Sequence, residues 1–156
     1  MYNVNIETKI YTMEVSFMIK LMVGERGTGK TKTLIENVNA AASTTKGYVV
    51  CLEWGDKLRF DVSYHVRLID AKEYAITSAE KLYGFVTGIL ASNYDVTDLF
   101  IDSALKLVCD DADDQAALAD VLAKVAPMLE AHKVGCFITV SLAADKVSDA
   151  LKPYVI

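Results

Sequence analysis

Short apolar runs alternate with stretches of helical periodicity along most of the chain. Ile19 to Val23 is brief and apolar, as a buried strand would be. Glycines follow at 24, 27 and 29, and then Leu34, Ile35, Val38, Ala41 and Ala42 fall on one face of a helix, with Gly47 as its stop. Tyr48 to Leu52 is β-branched and aromatic and reads as a second strand ending at Glu53, broken by Trp54-Gly55-Asp56. Val66 to Ile69 reads as a third strand, and Leu82, Phe85, Val86, Ile89 and Leu90 mark a second helix. Leu99-Phe100-Ile101 forms a further strand that runs into Asp102-Ser103. Leu118, Val121, Leu122, Val125 and Leu129 mark a third helix, and Cys136 to Val140 a last strand. Pro127 is expected to kink or break the third helix, because it has no N–H and its ring meets the carbonyl of Ala123.

Strands that alternate with helices imply a mostly parallel sheet covered on both faces, here a three-layer α/β sandwich of five strands. Residues 18–156 carry no internal repeat, low-complexity tract or linker and read as one domain. Residues 1–17 read either as an extension, with Met13 and Met18 as later starts, or as an edge strand in which Tyr11, Met13, Val15 and Phe17 alternate with polar residues.

Composition narrows the class. A chain of 156 residues that is 53% hydrophobic can bury a core without staples, and disorder is disfavoured. No apolar run approaches the roughly 18 residues of a membrane span. The stretch from Ile10 to Val23 is interrupted by Glu14 and Lys20 and lacks a cleavage site. Cys51, Cys109 and Cys136 sit in or beside apolar runs with no paired spacing, so they read as buried free thiols, and His65 and His132 have no zinc-ligand partners at the required spacing. A cytoplasmic protein is expected. The formal charge of -5 disfavours a large nucleic-acid footprint, though not a small basic patch.

The candidate chemistry lies at Gly24-Glu25-Arg26-Gly27-Thr28-Gly29-Lys30-Thr31, which fits GxxxxGK[ST] in full between an apolar strand and an amphipathic helix. A loop that wraps a polyphosphate must turn its N–H groups inward, which needs backbone shapes open to glycine. The following helix adds unpaired N–H groups and its positive pole. Lys30 would place a charge on the β- and γ-phosphates, and the Thr31 hydroxyl would be a magnesium ligand. Gly24 to Thr31 and Lys32 are therefore the expected nucleotide contacts. The absence of an Asn-Lys-x-Asp guanine-reading motif points to ATP.

Such a loop needs a carboxylate across the site to hold magnesium through its waters. Asp102, at the carboxyl end of an apolar strand, fits, and Asp70 is its rival by the same pattern. Glu53 is the candidate for orienting or deprotonating water, or else a surface carboxylate in a turn.

Here the chain resembles the RecA-type branch of P-loop ATPases. The resemblance implies a catalytic glutamate at the end of Tyr48-Val49-Val50-Cys51-Leu52-Glu53, and a magnesium motif at Phe100-Ile101-Asp102-Ser103. It also implies a γ-phosphate sensor, Thr139 or Ser141, on Cys136-Phe137-Ile138-Thr139-Val140-Ser141. It further implies the strand order 66–69, 48–53, 99–102, 136–140, 19–23. The sensor position usually holds Gln or Asn, and room for long DNA-binding loops is lacking, so recombination is not implied. The chain is also similar to a group of short bacterial ATP-binding P-loop proteins.

Two other signals are discounted. Asp110-Asp111-Ala112-Asp113-Asp114 lacks the glycine and distal glutamate of a calcium loop and suits a helix start. Tyr154 beside Pro153 reads as tail packing ahead of an adenine cover. Three functions compete: a slow magnesium-dependent ATPase, with charge added by another copy of the chain or by a protein partner; a nucleotide-responsive binding module without turnover; and a small kinase. The kinase ranks last, because the three arginines, Arg26, Arg59 and Arg67, provide no arginine-rich lid.

Overall fold

The computed structural model describes residues 18–109 and 114–156. The elements, in chain order, are β1 (Ile19–Gly24), α1 (Lys30–Thr44), β2 (Tyr48–Glu53), β3 (Arg67–Asp70), α2 (Ala79–Ser92), β4 (Val96–Ile101), the one-turn α3 (Leu105–Val108), α4 (Gln115–His132) and β5 (Gly135–Ser141). The five strands form one sheet in the order β1-β5-β4-β2-β3, and every pairing is parallel. This is the order that the RecA resemblance implied.

Alternation along the strands divides the core. Ile19, Leu21, Val50, Leu52, Leu99, Ile101, Cys136, Ile138 and Val140 join the larger buried cluster with α2, α3 and α4. Their neighbours Val49, Cys51, Phe100 and Phe137 join Leu34 and Val38 of α1, with Leu58 and Val66. Successive side chains of a strand point to opposite faces, so one sheet separates two apolar layers, which makes the fold a three-layer sandwich. The two edge strands are protected from strand addition in different ways. Beside β1 the tail adds a parallel bridge, Leu21 to Val155, and the Ile156 N–H donates to the Leu21 carbonyl at 3.1 Å. Opposite it, β3 is four residues long and begins and ends on charges, Arg67 and Asp70, which discourages strand addition.

Three sequence expectations need correction. Pro127 does not end α4, which runs unbroken from Gln115 to His132. Pro127 and Ala123 are both exposed, so the carbonyl that loses its partner can be hydrated. Helix α1 stops at Thr44, ahead of Gly47. Gly47 is needed for a close approach instead, because a Cβ there would collide with the Asp95 carbonyl, which accepts from the Tyr48 N–H at 2.8 Å. Cys51 and Cys136 are buried but Cys109 is only half-buried. The region 1–17 and most of the acidic run, 110–113, lie outside the described residues. Its last member, Asp114, caps α4 by accepting from the Ala117 N–H at 3.0 Å. Tyr154 packs against the larger core cluster.

Among the described residues no helix is long and apolar enough to cross a membrane, and no group of three or more His, Cys, Asp or Glu could by itself hold a metal ion.

Candidate nucleotide site

The carboxyl ends of four neighbouring strands meet at one edge of the sheet. The register sets Gly24 of β1 opposite Ser141 of β5, and Glu53 of β2 opposite Asp70 of β3. Asp102 follows Ile101, which pairs with both Leu52 and Ile138. A cleft of about 570 Å³ opens above these ends. One wall is the loop and first turn of α1, with Arg26, Gly27, Gly29, Lys30, Thr31 and Lys32. The facing walls carry Glu53, Trp54, Lys57 and Leu58 after β2, Asp102, Ser103 and Lys106 after β4, and Ser141 at the end of β5.

The loop curls because two glycines take the left-handed backbone, Gly27 at φ 83° and Gly29 at φ 84°, a region that costs other residues roughly 1–2 kcal/mol. The loop also folds over Gly24, where an added Cβ would lie 2.6 Å from the Thr28 hydroxyl. Glu25 and Thr28 brace it from within, since the Thr28 hydroxyl donates to the Glu25 carbonyl at 2.7 Å. Lys30, 7% exposed, donates to the same carbonyl at 2.7 Å and approaches the Thr28 hydroxyl at 3.4 Å. Burial lowers the Lys30 pKa, and the nearby Asp102 opposes that shift. At the N-terminus of α1 no side chain caps the first-turn amides, whereas Ser78 caps α2 and Asp114 caps α4. Uncapped amides at a glycine turn, beside a lysine, form an anion-binding terminus.

Across the cleft, Asp102 is held by a specific partner. The Thr139 hydroxyl donates to the Asp102 carboxylate at 2.6 Å and accepts from the Ser103 N–H at 2.8 Å. The Thr139 carbonyl accepts from the Ala104 N–H at 2.9 Å. Ser103 takes the left-handed backbone at φ 55° and turns the chain from β4 into α3. Thr139 is fully buried, and its one hydroxyl proton is committed to Asp102. Ser141 is the residue of that pair which lines the cleft.

Glu53 is 2% exposed, so the surface-carboxylate reading does not hold. Both of its oxygens accept from the Leu58 N–H, at 3.1 and 3.3 Å. Burial is the main cause of its raised pKa; the Leu58 N–H opposes the shift, and Asp102, Asp70 and Asp56 add to it. Asp70, the rival metal ligand, accepts from the Gly55 and Lys72 N–H groups, both at 2.8 Å. It braces the turns after β2 and β3 and does not line the cleft. Both buried thiols are held in the protonated form. Burial pushes Cys136 up to about 12, and Cys51 is raised further by burial with Glu53 and Asp102 nearby.

Trp54, Lys57 and Lys106 escaped the sequence reading. Trp54 stands in what reads as a strand break, and nothing in a linear pattern separates Lys57 or Lys106 from solvated lysines. Their signal is tertiary: a bond from Leu58 to a buried glutamate, and a left-handed serine after a strand.

An all-parallel five-stranded sheet flanked by helices, with a glycine-rich turn leading from an edge strand into α1, is a P-loop NTPase-like fold. No family model matches the sequence, and no curated protein matches it. Among solved structures the chain is similar to PCH-2 of C. elegans, with a TM-score of 0.52 and 14% identity over 99% of this chain. It spans 42% of that chain's length. At this identity the likeness is one of fold.

Proposed function

We propose that this protein binds ATP with magnesium in the cleft between α1 and the carboxyl ends of β2 and β4, and hydrolyses it slowly. One observation carries the reading: the loop from Gly24 to Thr31 curls through left-handed Gly27 and Gly29 into an uncapped helix terminus, with Lys30 inside it and Asp102 opposite. The sheet order, with β5 between the strands that lead to Lys30 and Asp102, supports the P-loop part of the reading.

The chain's own groups divide the work. Backbone amides of the loop and of Lys30, Thr31 and Lys32 bind phosphate oxygens. Lys30 exchanges the neutral Glu25 carbonyl for an anionic phosphate, so that both partners of the bond are charged. Thr31 and Asp102 line the same cleft and offer a hydroxyl and a carboxylate, oxygen donors that suit magnesium arriving with a triphosphate and keeping its waters. When bound, the ion would offset charge on the β- and γ-phosphates. Thr139 orients the Asp102 carboxylate, and Ser141, which lines the cleft, would contact the terminal phosphate. Glu53, buried and fixed by Leu58, orients or deprotonates water.

The bond to Leu58 also favours a second reading, a nucleotide-responsive module in which Glu53 stays committed to the loop and turnover is negligible. Calorimetry with ATP and magnesium, and phosphate release, separate the two. Wild type is expected to bind, and Lys30→Ala to weaken binding by at least about tenfold. Failure of the folded wild type to bind any nucleoside triphosphate refutes both readings, and binding without phosphate release selects the second.

A further inference from the structure

Apart from the magnesium that arrives with the nucleotide, the chain's own charges where the terminal phosphate would lie do not favour it. Lys30 faces Asp102, and Glu53 lines the same cleft, so one ammonium meets two carboxylates. The positions of Arg26 and Lys32 put them on the loop wall, beside the amides. Another pair of cations comes from the far walls. Lys57 precedes Leu58, whose N–H is tied to Glu53, and Lys106 lies in the turn that Ser103 starts immediately after Asp102, its N–H donating to the Ser103 carbonyl at 3.0 Å. Both lysines line the cleft. Among the described residues, neither has an ion-pair or side-chain hydrogen-bond partner.

Resting on the nucleotide reading, we propose that Lys57 and Lys106 supply the positive charge on the terminal phosphate from within the chain, without a cation from a neighbour. Their backbones are fixed by the two acidic positions of the site, Lys57 through the Glu53–Leu58 bond and Lys106 through the turn at Asp102-Ser103. Their side chains are exposed and free to close on an anion. With them, three ammonium groups face two carboxylates, and the balance at that end of the cleft becomes attractive to a phosphate. The two lysines thereby distinguish a triphosphate from a diphosphate.

The test is to titrate ATP and ADP, each with magnesium, into wild type, Lys57→Ala, Lys106→Ala, the double variant and the two Lys→Arg variants. Calorimetry and the fluorescence of Trp54, the single tryptophan and a cleft residue, read the binding. The double variant should lose about tenfold or more in ATP affinity and less than about twofold in ADP affinity, and the arginine variants should retain most of the ATP affinity. Equal losses for ATP and ADP, or no loss for either, overturn the proposal and leave the nucleotide site standing. It is also overturned by a hydrolysis rate per chain that climbs with protein concentration and is indifferent to both lysines, because the charge then comes from a neighbouring copy. A wild type that binds neither nucleotide refutes the underlying reading of the cleft, and this proposal with it.

Discussion

Glu53 and Thr139 are two of the three buried polar residues among the described residues, and each predicts a distinct phenotype. Burial raises the Glu53 pKa. Between the ordinary glutamate value and that raised value, the native state therefore holds a proton that the unfolded chain has released, so stability falls as pH rises through the window. Glu53→Gln keeps an acceptor for Leu58 and removes the charge. Its melting temperature should exceed that of wild type near pH 7, with the gap closing as pH falls below the ordinary carboxylate range. The same variant should release phosphate about 10²-fold more slowly or worse while still binding ATP. Equal turnover would show that Glu53 only anchors the loop.

Thr139→Val conserves shape but strands the Ser103 N–H and removes a donor from Asp102. It should cost about 1–3 kcal/mol in denaturant unfolding. Binding of magnesium with ATP should also weaken more than binding of ATP without the ion, because the change acts through Asp102. Thr139→Ser, which restores the hydroxyl, should recover both.

The elements differ in how well their sequences suit them. Helix α2 is capped by Ser78 but carries two exposed glycines, Gly84 and Gly88, and an added Cβ at either would meet nothing within 4 Å. Glycine inside a helix costs about 0.5–1 kcal/mol relative to alanine. Gly84→Ala and Gly88→Ala should each stabilise by about that amount in chemical denaturation, with no change in nucleotide binding. A loss of stability would mean that these positions carry a contact outside the described residues. Helix α1 shows the opposite case. Its N-terminus has no side-chain cap, a feature unfavourable for an isolated helix and suited to one whose first amides take a ligand. Legibility at this scale followed burial. The five strands were readable because their apolar runs are nearly continuous, as both faces of a parallel sheet are covered. Helix ends and the effect of Pro127 were not, because they depend on whether a carbonyl faces water or core.

For the molecule as a whole, the charge distribution matters more than its sum. The chain carries a formal charge of -5, yet its cleft gathers Arg26, Lys30, Lys32, Lys57 and Lys106 against Glu53 and Asp102. A concave site with an excess of positive charge focuses its field on an anion even when the whole protein repels it. Affinity for ATP should therefore fall as sodium chloride is raised from about 0.05 to 0.5 M, since the screening length shrinks about threefold. Calorimetry across that range checks this, and an affinity indifferent to salt would argue that the amides alone hold the ligand.

The sequence by itself determined the alternation of strands and helices, the glycine-rich loop and the aspartate at the end of an apolar strand. Each is written in consecutive residues and depends on local backbone shape or periodic burial. Tertiary structure alone decided what the carboxylates touch. It set Thr139 against Asp102, 37 positions away, and committed its hydroxyl proton there. It tied Glu53 to Leu58, committed Asp70 to two turns, and turned Lys57 and Lys106 towards the cleft. The Thr139–Asp102 and Gly55–Asp70 contacts join residues on different strands and loops, which only the register of the sheet brings within hydrogen-bonding reach.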